Sequence, residues 1–236
     1  MEDLRPRDPP LNVRPPGILP ARFALLVIAL LLLPVAGDIS GQSPTAALTV
    51  IAREPRRPIP MTTVGGQELV ALDDLAATFQ ATVREEGGAL TVSYKGRTIV
   101  VTPDQTIASV AGRVISLSAP PARVNGRWLV PVDFISRALA GIYDARIELR
   151  RASRLVIVGD LRVPHLTIRH EPEGPGTRVT IEIMPRANAT VTQDGQHLAV
   201  RFDADALDVT YPAGPVAGLV QGYRGIDATT IAIDLG

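Results

Sequence analysis

The sequence predicts an α+β, β-rich chain: an internally repeated strand–helix–hairpin domain followed by a small antiparallel β-sandwich. Three observations carry that prediction. Val64–Phe79 superposes on Val124–Leu139 without a gap, so that Gly66 meets Gly126, Leu69-Val70 meets Leu129-Val130 and Asp73 meets Asp133. From Leu161 onward the hydrophobic period is two, as in strands buried on one face. Aromatic residues make up 4% of the 236 positions while hydrophobic residues make up 46%, so the core is expected to be aliphatic and strand-like.

The N-terminal segment, residues 1–41, reads as a signal or anchor. "RFALLVIALLLLPVAG" opens on Arg22 and is continuously apolar from Phe23 to Leu33, then breaks at Pro34. That run is shorter than the roughly 18 to 20 apolar residues of a stable span. It fits the apolar region of an export signal, with Val35 and Gly37 as the small residues before a cut near Asp38. The expected location is the periplasm or cell envelope. An uncleaved signal would anchor the chain to the membrane through residues 22–37.

Charge and cysteine content narrow the function classes. Lys plus Arg and Asp plus Glu both total 24, so the chain lacks the net basic field that draws proteins to nucleic acid. No cysteine is present, which excludes disulfides, thiolate metal ligands and thiol nucleophiles.

Each copy of the repeat is read as turn, strand, helix, hairpin. Gly65-Gly66 and Asn125-Gly126 are the dipeptides of two-residue hairpin turns, and an apolar strand follows each. Asp73 and Asp133 then precede helical spacings, Leu75 to Phe79 and Ile135 to Leu139, and read as N-caps. Pro131 is expected to end strand pairing before the second cap. The closing hairpins turn at Glu85-Glu86-Gly87-Gly88 and at Arg150-Arg151-Ala152-Ser153. Between the copies, "RTIVVTPDQTIASVAGRVISL" reads as further strands. Trp128 is the only tryptophan, and its counterpart in the first copy is Glu68. Two readings fit it, a half-buried cross-strand packer or part of a binding face; packing needs less, because no acid, base or metal ligand recurs beside it.

The pattern "NGRWLVPVDFISRAL…ARIELRRASRLVIV", with its twin "GGQELVALDDLAATF…ATVREEGGALTVSY", resembles the copper amine oxidase N-terminal-like domain over residues 47–159. The resemblance implies a non-catalytic α+β module, a stalk in amine oxidases and widespread on exported bacterial envelope proteins. It implies no copper, since the catalytic domain of those oxidases and a His-x-His pair are missing from the sequence.

Residues 161–236 alternate in "TRVTIEIM", "HLAVRF" and "TTIAIDLG", separated by "EPEGPG", "TQDGQ" and "YPAGP". With "HLAVRFDADAL" and "GLVQGYRG", these segments resemble the AMIN domain, a β-sandwich that targets bacterial cell-wall amidases and secretins to peptidoglycan or the septum. The order of segments looks like the front half of an N-acetylmuramoyl-L-alanine amidase. The zinc-site motif of such a catalytic domain, of the type D-P-G-H-G-G, does not occur in this sequence.

Catalytic constellations are not found. His165 and His170 stand five apart in a strand-like stretch and so point to opposite faces, and His197 is remote in sequence. Asp203, Asp205 and Asp208 begin like a calcium loop, but Asp208 stands where glycine is needed. No nucleophile motif, phosphate loop or cofactor fingerprint is present, so no catalytic residue, metal or cofactor is assigned. Candidate ligand contacts are Trp128, the basic cluster Arg146, Arg150, Arg151 and Arg154 at the last hairpin of the repeat, and Arg178 and Arg224 further on. Arginine grips carboxylates bidentately, which suits peptidoglycan stem peptides or anionic wall polymer; a solvated, aggregation-resistant turn is the plainer alternative. The expected function is a non-catalytic envelope protein whose partner is peptidoglycan or another envelope polymer. The alternatives are the targeting half of a zinc-dependent amidase and a structural spacer that assembles envelope proteins.

Overall fold

Two dipeptide turns set the first half of the fold. Gly65 and Gly66 take φ of 56° and 79°, and Asn125 and Gly126 take 50° and 79°. Paired positive φ values make the tight hairpin turns whose twist matches that of the strands they join. The first joins β2 (Arg57–Val64) to β3 (Gln67–Ala71), and the second joins β9 (Ala122–Val124) to β10 (Arg127–Pro131). β3 and β10 then pair antiparallel with Val70 opposite Val130, the residues that superpose when the repeat is aligned.

The computed structural model describes residues 46–53, 57–214 and 218–236, and the expected signal or anchor, residues 1–41, lies outside them. Among the described residues the chain is strand-rich with few helices. A seven-stranded sheet runs β11 (Ile147–Arg150), β12 (Leu155–Val158), β1 (Ala47–Ile51), β2, β3, β10, β9. β1 and β12 are parallel, with Thr49, Val50 and Ile51 opposite Leu155, Val156 and Ile157, while the other pairs are antiparallel. A five-stranded meander follows chain order: β4 (Thr82–Glu86), β5 (Ala89–Tyr94), β6 (Arg97–Val101), β7 (Ile107–Val110), β8 (Arg113–Ser116).

Helix α1 (Leu72–Phe79) and a π-helical turn, Ile135–Leu139, continuing into the single turn α2 (Ala140–Ile142), follow β3 and β10 respectively. They bury Leu72, Leu75, Phe79, Ile135, Leu139 and Ile142 in one core with Leu48, Val70, Leu90, Ile99 and Val130. A strand pair follows each helical stretch, and the two pairs diverge: β4–β5 joins the meander, whereas β11–β12 joins the seven-stranded sheet. Among the described residues, no helix is long and apolar enough to cross a membrane.

One expectation for the repeat is corrected. Neither aspartate is an N-cap: α1 starts at Leu72 after Ala71, the π turn starts after Phe134, and neither start has a side-chain cap. Asp73 falls inside the first turn, where its charge still suits the helix dipole. Asp133 is buried, and its carboxylate accepts from the Ser118 amide and hydroxyl and pairs with Arg137 instead of capping a backbone amide of the helix. Pro131 is the last residue of β10 and the last one paired with β3, opposite Leu69, as expected; beyond the ladder a single further bond runs from Val132 N–H to the Glu68 carbonyl at 3.1 Å.

The remaining strands form two further sheets. β13 (His165–Glu173) pairs with β14 (Gly176–Met184) and, in parallel, with β17 (Asp208–Thr210). A four-stranded sheet runs β15 (Ala189–Asp194), β16 (His197–Phe202), β19 (Thr230–Leu235), β18 (Val220–Gly225). Leu166 and Ile168 from the first share an apolar cluster with Val200, Phe202, Ile231 and Ile233 from the second. Pro44–Gly236 form one compact unit. Within it, Ile51, Leu155 and Ile157 of the seven-stranded sheet pack against Val163 and Ala206 at the start of the second half.

Candidate functional site

A cavity of about 460 Å³ opens beside the end of α1. Its floor is Phe79, Tyr143 and Val158, and Arg53, Arg57 and Asp160 stand at its mouth. α1 supplies Phe79 at its last position, and Gln80 in the left-handed region (φ 54°) turns the chain away with its N–H on the Ala76 carbonyl. Tyr143 directly follows α2 in extended conformation. Its ring meets Phe79 edge-on, with centroids 5.4 Å apart, and lies 4.5 Å from Tyr94. Burial pushes the Tyr143 phenol above its ordinary value, and the neighbouring Tyr94 pushes it further the same way, so it stays protonated at neutral pH.

The segment behind the floor is pinned. Asp144 accepts from Lys95 Nζ at 2.8 Å and from Arg97 Nη2 at 2.7 Å, while Arg97 Nη1 donates to the Ile142 carbonyl at 3.1 Å. The Lys95 hydrogen bond, against slight desolvation, holds the Asp144 carboxyl below its usual range. An aromatic floor, an aliphatic wall and a mouth carrying two guanidinium groups and the Asp160 carboxylate can accept a ligand with an apolar part and a charged one. Among the described lining residues no nucleophile is set beside a base.

None of the candidate ligand contacts named from the sequence lines this cavity. Trp128 is half-buried against the main core; its Nε1 donates to Glu85 at 2.9 Å and the Arg123 guanidinium lies 5.4 Å from its ring. Replacing Trp128 with phenylalanine keeps the packing and deletes the bond to Glu85, so a loss of about 1 kcal/mol is expected in urea unfolding.

The basic cluster is dispersed among acidic partners. Arg146 lies 3.4 Å from Glu148, Arg150 sits at 2.8 Å from Glu148 and 3.1 Å from Asp208, Arg151 is 3.9 Å from Asp133, and Arg154 is 3.3 Å from Glu68. Arg178 pairs with Glu173, and Arg224 lies 3.4 Å from Asp234. The structure therefore does not gather these arginines into one anion-facing patch. Alternation along a strand shows which face a guanidinium takes, and does not show that an acid waits on the neighbouring strand.

The histidines are likewise separate. His165 lies 3.3 Å from Asp208, His197 lies 2.8 Å from Asp234, and the His170 ring stacks on Tyr223 at 6.0 Å. The carboxylates of "DADALD" divide as well: Asp203 faces Arg162, Asp205 accepts from the Arg162 amide, and Asp208 is buried beside Arg150. Among the described residues, no group of three or more His, Asp or Glu could hold a metal ion.

Sequence reasoning missed Phe79, Tyr143 and the two cavity arginines because each sits at the end of an element, where periodicity stops. Scarcity was the available signal: among only four Phe and four Tyr, Phe79 and Tyr143 each directly border a helical stretch.

Comparison with protein families matches residues 57–157 to the copper amine oxidase N-terminal domain. No curated protein and no solved structure matches the chain.

Proposed function

We propose that this chain is a non-catalytic, exported cell-envelope protein that binds peptidoglycan, with the cavity over Phe79 and Tyr143 as its ligand site. We read the first half as a duplicated strand–helix–hairpin module and the second as a small AMIN-like β-sandwich. The observation that carries the reading is the cavity itself: an aromatic floor against which an apolar segment packs, and guanidinium groups at the mouth that pair with a carboxylate. A peptidoglycan stem peptide presents both features. The family match over residues 57–157 and the AMIN-like strand pattern after residue 161 support the same assignment, because both resemblances lead to the envelope.

The test is cosedimentation of the full chain, in mild detergent, with isolated sacculi at low and high salt. Pelleting is expected, and the double substitution Arg53→Glu, Arg57→Glu is expected to weaken it about tenfold or more, as loss of charge-assisted contacts should. Unaltered pelleting of the double variant would move the ligand away from this cavity. A folded chain that stays in the supernatant would reject wall binding and favour a structural spacer for protein assembly.

A further inference from the structure

The edge strand β14 (Gly176–Met184) is the longest regular edge among the described residues. It pairs with β13 over nine consecutive residues without a register shift, and β13 is its sheet neighbour among the described residues; only its start is covered otherwise, where Leu219 N–H donates to Thr177 Oγ1 at 3.1 Å. Its sequence, GTRVTIEIM, contains no proline, lysine or bulge, and its two charges, Arg178 and Glu182, are opposite in sign and so do not repel a second copy paired antiparallel. Most other edges are shorter or irregular: β8, β9, β11 and β17 span four, three, four and three residues, β4 and β15 span five and six, and β18 carries a bulge between Val220 and Gly222.

The inner face beside β14 is also short of cover. Leu166 and Ile168 on β13 are 0% and 1% exposed, whereas Val179, Ile181 and Ile183 on β14 are only half-buried. On the facing sheet, Val191 of the outer strand β15 is 61% exposed, although its cross-strand partner Val200 is a core residue. A sheet of three strands faces a sheet of four, and the apolar residues of β14 and β15 are the less covered ones on each.

The order of charges along β14 identifies what fits there. Two antiparallel copies related by a two-fold axis pair residues of the same face, so the axis must pass through a residue. With the axis at Thr180, the midpoint of the strand, Arg178 of each copy stands opposite Glu182 of the other. Val179 then meets Ile181, and the long Met184 lies over Gly176. Moving the axis to Val179 sets Arg178 opposite Thr180, and moving it to Ile181 sets Arg178 opposite Met184, so both alternatives lose the charge match. Within the chain, Arg178 pairs with Glu173, and Glu182 lies 3.4 Å from Arg169, through exposed side chains that are held weakly and can be shared.

We infer that β14 is a self-complementary interface: two copies of the chain join edge to edge through antiparallel β14 strands centred on Thr180, extending each three-stranded sheet into a six-stranded one.

The chain has no cysteine, so a single introduced thiol reports the register directly. Directly opposed antiparallel residues have Cα atoms about 4.5–5.5 Å apart, within the span of a disulfide. Mild oxidation of full-length Thr180→Cys in detergent is expected to give mostly disulfide-linked dimer. Val114→Cys, on the 73% exposed edge position of β8, reports random collision and should stay monomeric. Arg178→Glu or Glu182→Arg alone should lower the dimer fraction about tenfold in sedimentation, by setting like charges opposite each other, and the double swap should restore it. Thermal melting of each variant confirms that the fold is retained. Cross-linking of Thr180→Cys no faster than Val114→Cys would overturn the interface. So would a double swap that fails to rescue, or a parent chain monomeric at about 100 μM, which would leave β14 to a strand from another protein.

Discussion

Replacing Asp208 with alanine is expected to lower the unfolding free energy by about 2–3 kcal/mol, because it removes the buried one of the two carboxylates that hold the partly buried Arg150 guanidinium and leaves Ser153 without its acceptor. Asp208, on β17, is 5% exposed and accepts hydrogen bonds from Arg150 Nη1 and Ser153 Oγ, each at 3.1 Å, while His165 Nδ1 lies 3.3 Å away. Arg150 and Ser153 belong to the β11–β12 hairpin of the first half, so this carboxylate ties the two halves of the chain together. Burial pulls the Arg150 pKa down, and its bonds to Glu148 and Asp208 more than reverse the effect. Thermal melting should fall by several degrees. The double variant Asp208→Leu, Arg150→Met should lose less than Asp208→Ala alone, since it removes the guanidinium together with its buried partner. A loss below about 1 kcal/mol would mean that water reaches the guanidinium and that the apolar cluster around Ile51 and Leu155 joins the halves unaided.

Asp133→Ala should cost about 3 kcal/mol, well above the loss of about 1 kcal/mol that removal of a helix cap produces. The carboxylate is 4% exposed and accepts from Ser118 Oγ at 2.7 Å and Ser118 N–H at 3.1 Å, and it forms an ion pair with Arg137, whose Nε lies 3.1 Å away. It thus fastens the segment after β8 to the start of the π turn. Its counterpart Asp73 is exposed and meets only Arg127 at 3.8 Å, so Asp73→Ala should stay within about 0.5 kcal/mol. Urea unfolding of the two variants side by side separates them. A loss near 1 kcal/mol for Asp133→Ala would show that Ser118 and Arg137 rehydrate freely once the carboxylate is gone.

This asymmetry marks the limit of what the sequence shows. Turn chemistry is local, so Gly65-Gly66 and Asn125-Gly126 could be read directly, and the alternation of β14, β16 and β19 placed those strands. The repeat disclosed the order strand, helix, hairpin. It could not disclose that one hairpin would join the meander and the other the seven-stranded sheet, because that choice depends on β1, which pairs with β12 across more than a hundred residues. Asp133 misled for the same reason: its spacing to Ile135 is that of a cap, but Ser118 reaches it through tertiary packing. The arginines were legible as a cluster on the chain, and their partners, Asp208 and Glu68 among them, were not. Phe79 and Tyr143 come together only because α1 and the segment after α2 end side by side.

The parallel pairing of β1 with β12 has a mechanical consequence. A pull applied at Ala47 and at Val158 draws the two strands in opposite directions along their length, because one is held at its N-terminal end and its parallel neighbour at its C-terminal end. The bridge from Thr49–Leu155 to Ile51–Ile157 is then loaded in shear, and its hydrogen bonds bear the tension together instead of unzipping one at a time. Resistance to such a pull is a matter of unfolding rate rather than of equilibrium stability. Tension carried along this chain would meet the first half of the molecule in its stiffest direction.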